Sequence, residues 1–525
     1  MNIVTPLVLQ DWLLNSETEL AVLDVREAGE FGWGHLLFAI PLPYSRLEVE
    51  LDRLVPHRAT RLVFCDDGVS GVAQRAAQRA AMLGYEQVHV LGGGTAAWRS
   101  AGYPLFAGVH VPSKTFGELV EEVCHTPRIS AQDLHARQAR GEHVIVVDGR
   151  PFAEYSKMNI PGSVCCPNGE LAYRISAIAP DESIPIVVNC AGRTRSIIGA
   201  QTLIDIGLRN PVYALENGTQ GWALAGYDLE YGGTRRYPAQ PPVSALVERA
   251  ASVAALAQRR GVRALDVSEA CRWLADTDRT TYWLDIRTPE EFSADAAPGA
   301  QSAPGGQLIQ ATDQWLAVRG ARVLLADHDG IRAPVVAQWL RRLGWDAHTV
   351  RVSEGFALKP RDRECDIASS MPLPIPVEPG RLDDWRRTGE CLLVDIRSSM
   401  DFRKGHIPGS IWSIRSRLAE DVPDSPRRVV LISDDLVMIR MAALELVQRR
   451  GQDIHYLEGG CRGWLDAGGR PEASPAVPTD DDAIDYLFFV HDRHDGNLDA
   501  ARQYLAWEQG LVAMLDPAER ARFNP

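Results

Sequence analysis

At 525 residues the chain is long enough for roughly three to four domains. Its 45% hydrophobic and 24% charged content is ordinary for a soluble globular protein, and a net charge of -14 with no compensating basic tract argues against a nucleic-acid or anionic-membrane partner. Nine cysteines, odd in number and without CxxC pairs, disfavour a disulfide framework and a structural zinc site, so no metal or cofactor is expected. The first ten residues lack a basic n-region and cleavage site, and no apolar run approaches the ~20 residues that span a bilayer. The expected location is the cytoplasm, where thiols stay reduced.

One pattern recurs four times along the chain. In the first copy an apolar strand ends in Leu23-Asp24-Val25-Arg26, followed by Glu30-Phe31 and His35. A second apolar strand, Leu62 to Phe64, runs into Cys65-Asp66-Asp67-Gly68-Val69-Ser70, and Gly92-Gly93-Gly94 with Trp98 closes the unit. The second copy has the strand Val144 to Val147, then Asp148-Gly149-Arg150, Glu154-Tyr155 and Ile160-Pro161-Gly162-Ser163. Its second strand ends in Cys190-Ala191-Gly192-Arg193-Thr194-Arg195-Ser196, and Asn217-Gly218 with Trp222 closes it.

The third copy carries Asp285-Ile286-Arg287, Glu291-Phe292, Ala297-Pro298-Gly299-Ala300 and the loop Asp327-His328-Asp329-Gly330-Ile331-Arg332. It ends in Glu354-Gly355-Phe356, without the tryptophan. The fourth carries Asp395-Ile396-Arg397, Asp401-Phe402, His406-Ile407-Pro408-Gly409-Ser410, the strand Val429 to Ile432, Ser433-Asp434-Asp435-Leu436-Val437-Met438, and Gly459-Gly460 with Trp464. Nearly continuous apolar strands alternating with helices predict buried parallel sheets covered on both faces. In such sheets ligands bind at loops beyond the carboxyl ends of the strands.

Pro/Gly-rich stretches at 232–242, 371–380 and 471–478 separate the copies, giving expected domains at 1–108, 115–232, 244–365 and 375–472. A tail, 479–525, follows. Leu498, Ala501, Tyr504, Leu505, Leu511 and Leu515 recur there at helical spacing, as a packing stripe or, alternatively, a partner-binding face.

Cys190 carries the chemistry. A thiol at the end of a buried strand, facing a helix N-terminus and flanked by Arg193 and Arg195, is expected to be a thiolate near neutral pH. The same amides and guanidiniums would hold a small oxyanion. Around Cys65 stand two carboxylates and no arginine, which disfavour its thiolate and repel an anion, so it is a secondary thiol at most. The third and fourth loops begin with Asp327 and Ser433, which makes those copies structural or partner-binding.

Asp-x-Arg and the acidic-aromatic pair occur even where the cysteine is missing. Asp148, Arg150 and Glu154 are therefore expected to be framework, as are Trp98, Trp222, Trp464, His35 and His406. Cys165-Cys166 is expected to pack beneath a loop, a resolving thiol being the alternative. Cys124, Cys271, Cys365, Cys391 and Cys461 have no evident chemical context.

Together these motifs, over about residues 5 to 475, resemble those of rhodanese-type sulfurtransferases. The resemblance implies an α/β chain of four tandem rhodanese-like domains, each a parallel sheet with helices on both faces, plus the helical tail. It also implies transfer of sulfane sulfur from thiosulfate or a related donor, through a Cys190 persulfide, to cyanide or a thiol acceptor. Arg193 and Arg195 would hold the sulfonate, and the backbone from Ala191 through Gly192 and Thr194 to Ser196 would cradle the persulfide, with the Thr194 and Ser196 hydroxyls adding donors. One alternative is a persulfide carrier or scaffold loaded by a protein donor. Another is a cysteine-dependent phosphatase or arsenate reductase, but those need Cys-x5-Arg, whereas only four residues separate Cys190 from Arg195.

Overall fold

The computed structural model describes residues 2–15, 18–238, 241–352, 371–423, 428–450, 453–491 and 496–525. The Glu354-Gly355-Phe356 turn and Cys365 lie outside the described residues. Each of the four repeats builds one five-stranded sheet, and counted along each repeat the strands stand in the order 1-5-4-2-3. The pairings are parallel, as the apolar strands predict. Central strands such as Leu20–Asp24 and Ile186–Asn189 are buried throughout. Among the described residues no helix is long and apolar enough to cross a membrane.

The Asp-x-Arg motif is a buried pin, as expected of framework. In every copy the arginine folds back onto the aspartate two residues earlier, at 2.6 to 2.7 Å. Its second function is to hold the following turn: Nη2 also donates to the backbone carbonyl eight residues on, Gly34 at 2.8 Å, Met158 at 2.7 Å and Gly405 at 2.9 Å, and Asp295 in the third copy. A buried ion pair needs such additional hydrogen bonds to offset its desolvation. His35 and His406 stack on Phe31 and Phe402 at 3.8 Å, packed as framework.

The repeats do not associate in chain order. One compact unit comprises Met1–Leu9, Val22–Gly108 and Asp362–Phe488, and so joins the first repeat to the fourth. The other comprises Gln10–Ala21, Val109–Arg361 and Phe489–Pro525, joining the second to the third and taking the end of the tail. Within the first unit, buried Arg415 donates to Glu48 at 2.8 Å and to Glu445 at 3.0 Å, and Glu445 also accepts from the Tyr44 hydroxyl at 2.7 Å. Within the second, Arg332 bridges Glu170 and Glu291 at 2.9 and 2.7 Å. The two backbones also meet there: a methyl group at Gly169 would lie 2.7 Å from the Gly306 nitrogen.

Glu27 makes the first unit sensitive to pH. It is buried and accepts from the Ser45 hydroxyl at 2.8 Å, and burial pushes its carboxyl up to about 7. A raised folded-state value means that stability is complete below the ordinary carboxyl range and is lost as pH rises through 7, by about 3 kcal/mol. Melting temperatures between pH 5 and 8 should therefore fall in the wild type. Glu27→Gln, neutral throughout, should lose that part of the slope; an unchanged slope would contradict the assignment.

Candidate active site

The strand Ile186–Asn189 delivers Cys190 to a short loop that opens into the helix Thr194–Asp205. The loop is held from beneath by the Gly-rich turn. Thr219 and Gln220 donate from their backbones to the carbonyls of Cys190 (2.8 Å) and Ala191 (3.2 Å). A methyl group at Gly218 would sit 2.2 Å from the Cys190 carbonyl oxygen, and its φ of +55° is left-handed. Glycine is needed there for both reasons. The same docking recurs at Gly94 against the Asp66 carbonyl and Gly460 against the Ser433 carbonyl.

Cys190 is 2% exposed, and the Ser196 hydroxyl donates to its sulfur at 3.0 Å. Among the described residues, no side chain accepts a hydrogen bond from the amides of Ala191 to Ser196. The other three loops differ. In the first, Asp66 accepts from Gly68 and Ala73 at 2.8 and 3.0 Å, and Asp67 from Val69 and Ser70 at 2.9 and 2.8 Å. In the third, Asp327 accepts from Gly330 at 2.7 Å and Asp329 from Ile331 and Arg332 at 2.8 and 2.9 Å. In the fourth, Ser433 and Asp435 accept from Asp435 and Val437 at 3.1 and 2.8 Å. Those three loops supply side-chain acceptors for amides of their own.

Cys65 is fully buried, and burial, with Asp24 and Asp66 adding, pushes its thiol well above the usual value. Cys165 and Cys166 are buried too. Burial pushes the Cys165 thiol up to about 12 and the Cys166 thiol well above its ordinary value, so neither has the character of a resolving thiolate.

Both loop arginines are held by carboxylates of the chain itself. Arg193 closes onto the helix Val111–Cys124, donating to both Glu118 oxygens at 2.7 and 2.8 Å and also to Glu121. Arg195 closes onto both oxygens of Glu154 at 2.8 Å, and donates to Gln307 of the third repeat at 3.3 Å. Each fork is thus matched to a carboxylate of the chain itself, the geometry in which guanidinium binds best. Burial opposes the charge on Arg195, but Glu154, with Cys190 adding in the same sense, holds it above its ordinary value. Burial pushes Glu118 up to about 7 against the pull of Arg193.

Glu154 is accordingly more than turn support. Wherever a loop carries an arginine five residues after its first position, the acidic-aromatic carboxylate binds it: Arg195 to Glu154, and Arg332 to Glu291. The Thr194 hydroxyl donates to Glu508 of the tail at 2.8 Å. Lys114, whose ammonium reaches Glu508 at 3.5 Å, stands just before the expected start of the second domain at 115, a position that falls inside the helix Val111–Cys124. Among the described residues no cluster of three or more His, Cys, Asp or Glu side chains has the arrangement of a metal site.

The rhodanese-like domain profile matches residues 8–101, 130–225, 266–357 and 378–467. The chain belongs to the rhodanese-like family. Over its whole length it is similar to a solved structure described as a thiosulfate sulfurtransferase from Pseudomonas aeruginosa, with 39% identity, 99% of that chain covered and a TM-score of 0.90. A stretch of 104 residues, 20% of this rhodanese-like chain, is 33% identical to the HTH-type transcriptional regulator Rv0324 of Mycobacterium tuberculosis. That match spans 45% of the regulator's length.

The Ser196 contact has a measurable consequence. The Ser196 hydroxyl donates to the Cys190 sulfur, and a hydrogen bond of this kind is worth about 1 kcal/mol, so Ser196→Ala should change the rate at which iodoacetamide alkylates Cys190 at neutral pH by roughly fivefold. Equal rates, read from the tryptic fragment by mass spectrometry, would remove Ser196 from the site.

Proposed function

We propose that the protein takes sulfane sulfur from thiosulfate, or a related anionic donor, onto Cys190 as a persulfide and passes it to cyanide or a thiol. Family membership and the full-length similarity to a thiosulfate sulfurtransferase support rhodanese-type sulfur transfer. The donor, the acceptor and the residue roles are the finer part of the proposal. One observation carries it: of the four loops, the second alone pairs a cysteine at its head with amides that no described side chain has claimed.

The chemistry is two displacements at sulfur. The Cys190 thiolate attacks the outer sulfur of thiosulfate; a new S–S bond forms as the old one breaks, and its electron pair leaves with sulfite. The terminal sulfur of the persulfide is then an anion without water. The amides of Ala191, Gly192, Arg193, Thr194, Arg195 and Ser196 would cradle it, and the Ser196 hydroxyl already addresses the inner sulfur. Fixed dipoles of this kind stabilise charge at no reorganisation cost. An acceptor nucleophile attacks the terminal sulfur and the thiolate returns as leaving group.

Arg193 and Arg195 flank the donor while remaining held by their carboxylates. Arg195 supplies positive charge beside the sulfur, and Arg193 fixes the loop to the helix Val111–Cys124. Sulfonate binds them only by sharing donors with Glu154, or with Glu118 and Glu121. Cys65, with its loop amides taken up by Asp66 and Asp67, carries no sulfur in this scheme.

Intact-protein mass spectrometry after mixing with thiosulfate tests the reading. The wild type should gain one sulfur atom on the tryptic fragment containing Cys190. Cys190→Ser should gain none and form no thiocyanate from cyanide, while Cys65→Ser should keep nearly full activity. Sulfur on the Cys65 fragment instead would reject the assignment.

A further inference from the structure

The tail contributes a charged residue where a packing stripe would not supply one. In the helix Leu498–Met514, Ala501, Tyr504, Leu505 and Leu511 are buried, as the sequence spacing predicts. On the same buried face lies Glu508, a carboxylate only 1% exposed. The helix packs on the helix Val111–Cys124 and on the helix Gly218–Leu224, the two elements that hold the Cys190 loop.

Burying a carboxylate costs several kcal/mol unless it is paired, and the partners of Glu508 are specific. Thr194 of the loop donates its hydroxyl at 2.8 Å, and the buried ammonium of Lys114 stands at 3.5 Å. Lys114 also donates to the Tyr504 hydroxyl and lies over the rings of Tyr504 and Trp507 at 4.9 and 5.5 Å. The carboxylate rests against the loop backbone: a methyl group at Gly192 would come within 2.9 Å of Glu508 Oε2 and 3.4 Å of the Tyr504 ring.

A hydroxyl on the loop, a desolvated ammonium and an aromatic wall are the groups that would receive a sulfonate. Here they receive the chain's own carboxylate, beside Gly192, which follows Cys190 by two residues in the chain. We propose that Thr194, Lys114 and Tyr504 form an oxyanion subsite of the Cys190 loop, and that Glu508 occupies it in the resting protein as an internal stand-in for the sulfonate of the donor or for the departing sulfite. The proposal rests on the sulfur-transfer reading above and assigns a place to the anionic half of the substrate. It also explains how an anion binds where both loop arginines are committed elsewhere. The donor competes with Glu508 for Thr194 and Lys114, so Glu508 sets the affinity for anionic donors rather than the rate of attack.

Steady-state kinetics with thiosulfate, on the full chain, separate these effects. Glu508→Gln removes the competing charge at constant shape and should lower KM about tenfold with kcat within about twofold. Glu508→Ala, which also vacates the space, should lower it at least as far. Lys114→Met should raise KM about tenfold or more. Because that variant leaves Glu508 buried beside no cation, the double variant Lys114→Met/Glu508→Gln is measured as well, and it should keep the high KM. If Glu508→Gln, with unchanged circular dichroism, has a wild-type or higher KM, the subsite is wrong.

Calorimetric titration with sulfite tests the subsite without any turnover. Binding should be tighter in Glu508→Gln than in the wild type, and lost in the double variant. That pattern would support the subsite even if no sulfur were loaded from thiosulfate, an outcome that would count against the sulfur-transfer reading alone. Equal or absent sulfite binding in wild type and Glu508→Gln would overturn the subsite.

Discussion

Backbone amides at the turn from strand to helix must find acceptors, and the way each repeat meets that demand decides what it can do. The first amides of a helix have no partner within the helix, and a buried donor left unpaired costs free energy on the scale of a lost hydrogen bond. In three repeats the loop supplies its own acceptors, from Asp66 and Asp67, from Asp327 and Asp329, and from Ser433 and Asp435. Those loops are stable as they stand and have no need of an anion. In the second repeat cysteine, alanine and glycine occupy the corresponding places, and among the described residues no side chain takes up that demand. Loss of the cysteine and closure of the cradle are therefore two sides of one change in the third and fourth repeats. The first repeat closed its cradle and kept the thiol.

Around the open loop three cations meet four carboxylates, so the surroundings are not positive. Arg193, Arg195 and Lys114 face Glu118, Glu121, Glu154 and Glu508. This fits a chain whose net charge of -14 offers no long-range attraction to an anion. In the proposed function binding would then be local and would exchange partners, an incoming oxyanion taking donors that a carboxylate held. Such exchange keeps the buried cations paired in both states, and so avoids the cost of an unpaired buried charge when the site is empty.

Much of this was legible in the residues. The strand pattern gave four parallel sheets because the strands are buried on both faces. Asp-x-Arg was readable as framework because it persists where the cysteine does not. The partners of the loop arginines were not legible. Glu118 and Glu121 lie more than seventy residues before Arg193, just inside the expected start of the second domain at 115. Glu508 follows Thr194 by more than three hundred residues, inside a helix whose other inward positions read as ordinary packing. Periodicity marks apolar faces and passes over a single buried charge, and only the fold brings it to its partner. The association of the first repeat with the fourth was hidden for the same reason, since it is a matter of surfaces and not of spacing.

The degenerate repeats acquire a reason from these contacts. The third has Asp327 where the second has Cys190, yet its Gln307 accepts from Arg195 and its Arg332 pairs with Glu170 of the second. The backbones meet at Gly169 and Gly306, where neither tolerates a side chain. The live loop is therefore walled by its own repeat, by the third repeat, by the helix before its first strand and by the end of the chain. A single-repeat fragment would keep Cys190, Ser196 and the docking glycine but would lack Gln307, Lys114, Tyr504 and Glu508. Its cradle would be open to water, which competes for the same amides and weakens every charge interaction at the sulfur. The additional repeat and the tail thus close on the two sides of a motif that one repeat carries, Gln307 meeting Arg195 and Glu508 meeting Thr194.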